Sequence, residues 1–192
     1  MKKKMLGNLL YILILIILPI FLLSLNDFGA FQEKAVNDTA SLPEGLHPIV
    51  EEQSKQLIQQ AAEKGIEVVI TDGFRSAEDQ DKLYEKGRSA EGEIVTYAKG
   101  GQSYHNFGLA VDFALKTPDG AIIWDRQYDR NTNGVADWTE VVDLAKTLGF
   151  EWGGDWEQFK DYPHLEMNFG LTIADLQNGE RPPDSSTLTA EQ

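Results

Sequence analysis

The chain reads as an α+β domain carried behind an N-terminal apolar segment. Three observations lead there. The β-rich runs are separated by helical and loop stretches of unequal length, which fits a small mixed fold better than a doubly wound parallel sheet. At 192 residues the chain is long enough for one domain of ordinary size. A hydrophobic fraction of 42% with four Trp supplies a packed core, so the bulk of the chain is not disordered.

Met1 to Lys4 is basic, and Leu9 to Leu25 (LLYILILIILPIFLLSL) is an uncharged apolar run. A positive start followed by such a run is a targeting segment. Its 17 residues reach the lower end of the roughly 17–25 that span a bilayer, and no small-x-small cleavage site follows it. Residues 1–25 therefore read as a signal anchor, with a cleaved signal peptide as the alternative, and the rest of the chain belongs beyond the cytoplasmic membrane. A lipid-anchored form is excluded because there is no Cys to carry the lipid. Residues 26–45 are a polar linker ending in Leu-Pro-Glu-Gly.

From His47 to Gly65 the apolar residues Ile49, Val50, Leu57, Ile58, Ala61 and Ala62 recur mostly at helical spacing. Pro48 suits a first helical position, where its missing N–H would be unpaired anyway. Ile66 to Thr71 (IEVVIT) reads as a strand, and Ala77 to Lys86 as a short helix with Ser76 as N-cap. Gly87 to Gly101 is loop-like. Leu109 to Leu115 and Ala121 to Trp124 read as strands joined by a Thr-Pro-Asp-Gly turn. Trp138 to Leu148 is an amphipathic helix closed by Gly149. His164 to Asn168 is a short strand and Thr172 to Asn178 a last helix. No internal repeat appears. The domain then occupies 46–181, and residues 182–192 form a polar tail.

Charge and composition exclude whole classes of function. Lys plus Arg number 17 against 31 Asp plus Glu, a net charge of −14. From residue 26 onward there are 14 bases and 31 acids, a net −17. No basic face is available to track nucleic-acid phosphates. The absence of cysteine removes disulfides, thiolate metal sites, iron–sulfur clusters and a cysteine nucleophile. A bound metal must therefore be held by His, carboxylate, amide or backbone oxygen.

There are three histidines, His47, His105 and His164. His105 closes a loop, and Asp112 lies midway along the strand that follows. A neutral imidazole nitrogen and a carboxylate oxygen at that spacing can converge on one ion, and both suit zinc. Asp112 is flanked by Val111 and Phe113, so its charge needs a cation or a metal as partner. The segment Asp161-Tyr162-Pro163-His164-Leu165-Glu166 can supply a third ligand. Two His and one carboxylate leave a position for water, the pattern of catalytic zinc. Asp161 and Glu166 both lie close enough to act as general base on that water. Strand alternation puts Glu166 on the face of His164, whereas Asp161 lies across the Pro turn. The spacing alone leaves both open. His47 belongs to neither segment and reads as a structural or surface residue.

The run from Ser103 to Asp112 (SYHNFGLAVD) resembles the S-x-H-x-x-G-x-A-x-D signature of the zinc D-Ala-D-Ala metallopeptidases, with Ser103, His105, Gly108, Ala110 and Asp112 at the fixed positions. An acid three residues before the last His ligand, Asp161 with His164, matches the second element of that family. Gly73-Phe74-Arg75-Ser76, Gln80, Tyr84 and the segment from Trp152 to Trp156 are similar as well, so the likeness spans roughly 45–180. The resemblance implies a single zinc-peptidase domain of the Hedgehog/D-Ala-D-Ala peptidase type, a small antiparallel sheet with flanking helices. It implies zinc on His105, Asp112 and His164, Asp161 as general base, and Arg75 steadying an oxyanion or a substrate carboxylate. Ser103 and Gln80 would be substrate-binding, and Glu166 would stand behind the ligands or at the surface. Asp rather than Glu at the base position resembles the L-alanyl-D-glutamate endopeptidase branch. The expectation is a cell-envelope enzyme, membrane-anchored or secreted, that cuts peptidoglycan stem peptides between L-Ala and D-Glu. A D-alanyl-D-alanine carboxypeptidase and a non-catalytic wall-binding module are the alternatives.

Residues 129–140 (DRNTNGVADWTE) fit the twelve-residue EF-hand calcium loop at every ligand position. Asp129, Asn131 and Asn133 stand at 1, 3 and 5, the Val135 carbonyl at 7, Asp137 at 9 and Glu140 at 12. Gly134 takes the turn at 6. The segment before it reads as a strand rather than an entering helix, so the expectation is a single structural calcium loop inserted in the domain.

Overall fold

A computed structural model describes residues 43–183. The chain divides into two units, Met1–Ala40 and Ser41–Gln192. The expected anchor and most of the linker fall in the first unit, outside the described residues, as does nearly all of the polar tail. Among the described residues no helix is long and apolar enough to cross a membrane.

The second unit is the expected α+β domain. In chain order its elements are α1 (Pro48–Glu63), β1 (Val68–Asp72), α2 (Ala77–Glu85), β2 (Ala110–Lys116), β3 (Ile122–Ile123), α3 (Asp137–Thr147), β4 (Glu151–Trp152), β5 (His164–Glu166) and α4 (Ile173–Gln177). Short 3₁₀ turns cover Tyr104–Phe107 and Gly153–Asp155. The sheet runs β1-β2-β5-β4, with β3 also on β2, and every pairing is antiparallel.

α1 forms where the pattern put it. Pro48 opens it, and the ring of His47 caps it by accepting from the Ile49 amide at 3.4 Å. Val50, Leu57 and Ala61 bury one stripe of the helix. The amide of Ile66 bonds back to the Ala61 carbonyl, which delays the strand expected at Ile66 until Val68. Ser76 caps α2 as expected, accepting from the Asp79 amide at 3.0 Å, and Thr172 caps α4 in a reciprocal box with Asp175. The strand expected over 121–124 shortens to Ile122–Ile123, a stub on the outside of β2. The pattern missed β4, a two-residue strand that lines up Glu151 with Glu166 and Trp152 with Leu165. So short a strand has no alternation to read.

β2 is the central strand, and its two faces divide the labour. Val111, Phe113 and Leu115 join α1 and α3 in the core, with Leu57, Ala61, Val141 and Ala145 fully buried against them. The ring of Phe113 lies 4.4 Å from that of Trp138. Burying a side chain such as Phe113 is worth about 1.5–3 kcal/mol, so this face holds the strand in register. The opposite face carries Ala110 and Asp112. Asp112 pairs in register with Asp72 on one side and His164 on the other, and Ala110 pairs with Glu166. Residues directly opposed across antiparallel strands project to the same side, so polar groups scattered over the sequence meet in one row.

Candidate metal centre and active site

His105 is set by the turn that precedes β2. Ser103 caps the 3₁₀ turn by accepting from the His105 amide, and Asn106 returns a bond to the Ser103 amide. Asn106 is fully buried, and its Nδ2 donates to the Arg75 carbonyl at 2.9 Å. Gly108 ends the turn at φ +69°, and a Cβ there would come within 2.3 Å of the Gly45 carbonyl oxygen. Only glycine satisfies both demands. The S-x-H-x-x-G spacing is thus a capped turn that aims one imidazole.

The two imidazoles are fixed from behind. His105 Nδ1 lies 2.7 Å from the Gly73 carbonyl oxygen, and His164 Nε2 lies 2.9 Å from Glu166 Oε2. Both partners are acceptors, so these ring nitrogens carry the protons and donate. The remaining nitrogens, His105 Nε2 and His164 Nδ1, face each other at 3.2 Å. Each stands 3.4 Å from Asp112 Oδ1, a buried oxygen with no hydrogen-bond partner. Three lone-pair atoms at such separations repel one another unless a cation lies among them. Their donor types, two neutral imidazole nitrogens and one carboxylate oxygen, suit zinc. Among the described residues, these three form the one cluster of His, Asp or Glu whose ligand atoms all lie within 4.8 Å of one another.

Protonation without the ion follows the same geometry. Burial disfavours a charged His164, but the neighbouring Asp112 carboxylate and the hydrogen bond to Glu166 outweigh it and push its pKa up to about 9. Burial also works against the Asp112 carboxylate, yet the two histidines hold it well below the usual carboxylate range.

Asp161 is half-buried on the wall of the cavity that opens over the cluster, a space of about 370 Å³. Burial and the charge of Asp112 raise its pKa, against the opposing pull of His164, His105 and Arg75. Its backbone is pinned. The Asp161 amide bonds the Gly153 carbonyl at 3.1 Å, Trp152 Nε1 donates to the Tyr162 carbonyl at 2.7 Å, and the Pro163 carbonyl accepts from the Phe113 amide at 3.1 Å. Gly153 is required by closeness, since a Cβ would meet the Asp161 carbonyl oxygen at 2.5 Å.

Arg75 lines the same cavity. Its guanidinium pairs with Asp72, stands 4.0 Å from Asp112 Oδ2 and donates to Gln80 Oε1 at 2.7 Å. Ser103 also reaches the cavity wall. Gln80 does not play the part expected of it. It is fully buried, and its amide is spent on Arg75 and on the Ala98 carbonyl at 2.8 Å. Glu166 is no surface residue either, being 4% exposed and committed to His164. The pattern also missed Asp72, which the spacing of its neighbours gave no reason to single out. His47 lies outside the site, as expected.

The loop 129–140 closes on itself. Asp129 accepts from the amides of Asn133 and Gly134, and the side-chain amides of Asn131 and Asn133 both donate to Glu140 Oε2 at 2.9 Å. Lys64 Nζ lies 3.1 Å from Glu140 Oε1. Asp137 begins α3, is 1% exposed, and keeps a buried Oδ1 without a hydrogen-bond partner.

The chain is similar to known proteins over this region. Residues 96–167 match a family model described as D-alanyl-D-alanine carboxypeptidase. The peptidoglycan L-alanyl-D-glutamate endopeptidase CwlK of Bacillus subtilis (strain 168) is 65% identical over 126 residues, covering 66% of this chain and 75% of that protein. The L-alanyl-D-glutamate peptidase of Listeria phage A118 is 35% identical over 142 residues, covering 72% of this chain and 44% of the phage protein. Among solved structures, the L-Ala D-Glu endopeptidase ChiX of Serratia marcescens superposes with a TM-score of 0.45 at 25% identity, covering 65% of this chain and 82% of that one.

Proposed function

Because the chain belongs to the D-Ala-D-Ala metallopeptidase family, we propose that it is a zinc-dependent peptidoglycan peptidase that hydrolyses stem peptides between L-Ala and D-Glu. The carrying observation is the convergence of His105, Asp112 and His164 in the cavity that Asp161 and Arg75 also line. The bond is assigned from the 65% identity to an L-alanyl-D-glutamate endopeptidase, together with Asp rather than Glu at the base position.

When bound, zinc supplies the Lewis acidity that activates water and polarises a carbonyl. The chain supplies the rest. His105 Nε2, His164 Nδ1 and Asp112 Oδ1 hold the ion, their orientation set by Gly73 and Glu166. Asp161 takes a proton on its carboxylate from the attacking water and returns it to the leaving amine of D-Glu. Its partial burial makes it a stronger base than a free carboxylate. Arg75 faces the cavity as a fixed cation, locked by Asp72 and Gln80, where it meets developing negative charge on the cleaved carbonyl. The ring of Trp156 lies tilted beside that of His164, centroids 5.1 Å apart, on the same cavity wall.

Two further assignments belong to the proposal. The basic start and the apolar run from Leu9 to Leu25 place the catalytic domain outside the cytoplasmic membrane, anchored or released. Asp129, Asn131, Asn133, the Val135 carbonyl, Asp137 and Glu140 bind calcium as a structural ion. The buried, unpartnered Asp137 Oδ1 supports this, as does the rise in its pKa from burial and from Asp129 and Glu140. A calcium titration that moves neither the melting temperature nor tryptophan fluorescence refutes the calcium assignment.

The function is tested by mass spectrometry of peptidoglycan fragments incubated with zinc-loaded protein. New free amino termini on D-Glu are expected. Loss of terminal D-Ala alone would make the protein a D,D-carboxypeptidase, and unchanged fragments would make it a wall-binding module. Asp161→Asn should lower kcat by about 10²–10⁴ while zinc content stays at the wild-type level.

A further inference from the structure

The mouth of the catalytic cavity carries an apolar lip that the chemistry above does not use. Seven large apolar side chains are markedly exposed among the described residues, and three of them, Val95, Tyr97 and Phe159, lie here. Tyr97 is 71% exposed and Phe159 is 49% exposed. They come from different loops, one before the His105 turn and one after β4, yet their rings meet edge to face with centroids 6.2 Å apart. Val95, Tyr97 and Phe159 line the same cavity as His105, Asp161 and His164.

The lip is braced rather than loose. Arg88 donates to the Thr96 carbonyl at 3.1 Å and stands 5.5 Å from the Tyr97 ring. Gln80 holds the Ala98 carbonyl while it also holds Arg75. The Tyr97 segment is therefore tied through Gln80 to Arg75, and Phe159 meets it only through the Tyr97 ring. Apolar surface kept in water beside a polar site marks a ligand contact, and aromatic rings offer broad, rigid faces at low entropic cost.

We propose that Tyr97 and Phe159 form a subsite for the sugar ring that carries the stem peptide. This rests on the cleavage proposed above. L-Ala is the first residue of the stem, joined through a lactyl group to the glycan. With at most about 3.6 Å of chain per residue, the sugar cannot lie far from the bond being cut. It must sit at the mouth of the cavity, continuous with the catalytic groups. A pyranose ring presents C–H faces that pack on aromatic rings, whereas the D-Glu side of the bond presents carboxylates, which gain nothing from an apolar lip. The enzyme then distinguishes glycan-linked stems from free peptides.

The test compares a disaccharide-linked stem peptide with the same peptide lacking the sugars, using zinc-loaded full-length protein and its Tyr97→Ala and Phe159→Ala variants. The wild type should favour the glycan-linked substrate in kcat/KM, and each substitution should shrink that preference by about fivefold to tenfold. A preference that survives both substitutions, or equal losses on both substrates, overturns the proposal, the second result giving the lip to the peptide. Failure of the cleavage reading looks different, since the wild type would then cut the L-Ala–D-Glu bond in neither substrate. In that case Kd for the glycan-linked peptide, measured with Asp161→Asn protein, decides. Weaker binding on adding Tyr97→Ala supports the sugar subsite, and unchanged binding overturns it.

Discussion

Replacing Glu166 tests whether the metal site depends on a residue that touches no metal. Glu166 is 4% exposed, and its Oε2 accepts from His164 Nε2 at 2.9 Å. A hydrogen bond to a charged acceptor is worth about 1.5–3 kcal/mol, and one to a neutral acceptor about 0.5–1.5. Glu166→Gln keeps the shape and an acceptor oxygen, so it should cost about 1–1.5 kcal/mol of zinc affinity, roughly a fivefold to tenfold rise in Kd. Glu166→Leu removes the acceptor and frees the imidazole to turn, and Kd should rise by about 10–100-fold, the usual range for partners behind a ligand. Competition with a chromophoric chelator reads both values, and the far-ultraviolet spectrum checks folding. A second readout needs no metal. In the metal-free protein, burial lowers the His164 pKa while Asp112 and Glu166 raise it to about 9, so either substitution should bring it down in a ¹⁵N titration of the ring. Zinc affinity within twofold of wild type, with an unmoved His164 titration, would refute the reasoning.

Three other expectations follow from the geometry. Gly153→Ala should drive the Asp161 segment outward, because the new Cβ would meet the Asp161 carbonyl oxygen at 2.5 Å and the His164 Cβ at 3.1 Å. Both kcat and zinc affinity should fall, and an unchanged kcat would show that Asp161 is not placed by this contact. Gln80→Leu should loosen Arg75 and lower kcat more than it raises KM, since the guanidinium acts on developing charge; a pure KM effect would instead make Gln80 a substrate contact. Finally, His164 carries a folded-state pKa of about 9 against an ordinary value of 6.5. Its contribution to metal-free stability is fully present below about pH 6.5 and is lost as pH rises through about 9. Urea unfolding of chelator-treated protein at pH 6 and 9.5 should show that loss, and His164→Ala should remove this part of the pH dependence.

Local chemistry was legible in the residues because it is short-range. Pro48 and Ser76 marked helix starts, and Gly65 and Gly149 marked helix ends. The ligands His105, Asp112 and His164 stood out for the same reason, each in a segment whose neighbours constrain it. The choice between Asp161 and Glu166 was not legible from spacing. It depended on which strand face pointed where and on what lay behind it. Antiparallel pairing of β2 with β5 sets His164 opposite Asp112 and turns Glu166 onto the back of His164, while the Gly153 contact places Asp161 on the cavity wall. Gln80 likewise changed role once its burial was known, and the Tyr97–Phe159 pair joins residues 62 positions apart that no periodicity links. By itself the sequence determined the fold class, the helix starts and the donor types, which are properties of neighbouring residues. Only the tertiary structure decided which groups share a face, which nitrogen of each imidazole looks inward and which side chains line one cavity, because those depend on register and burial between segments distant along the chain.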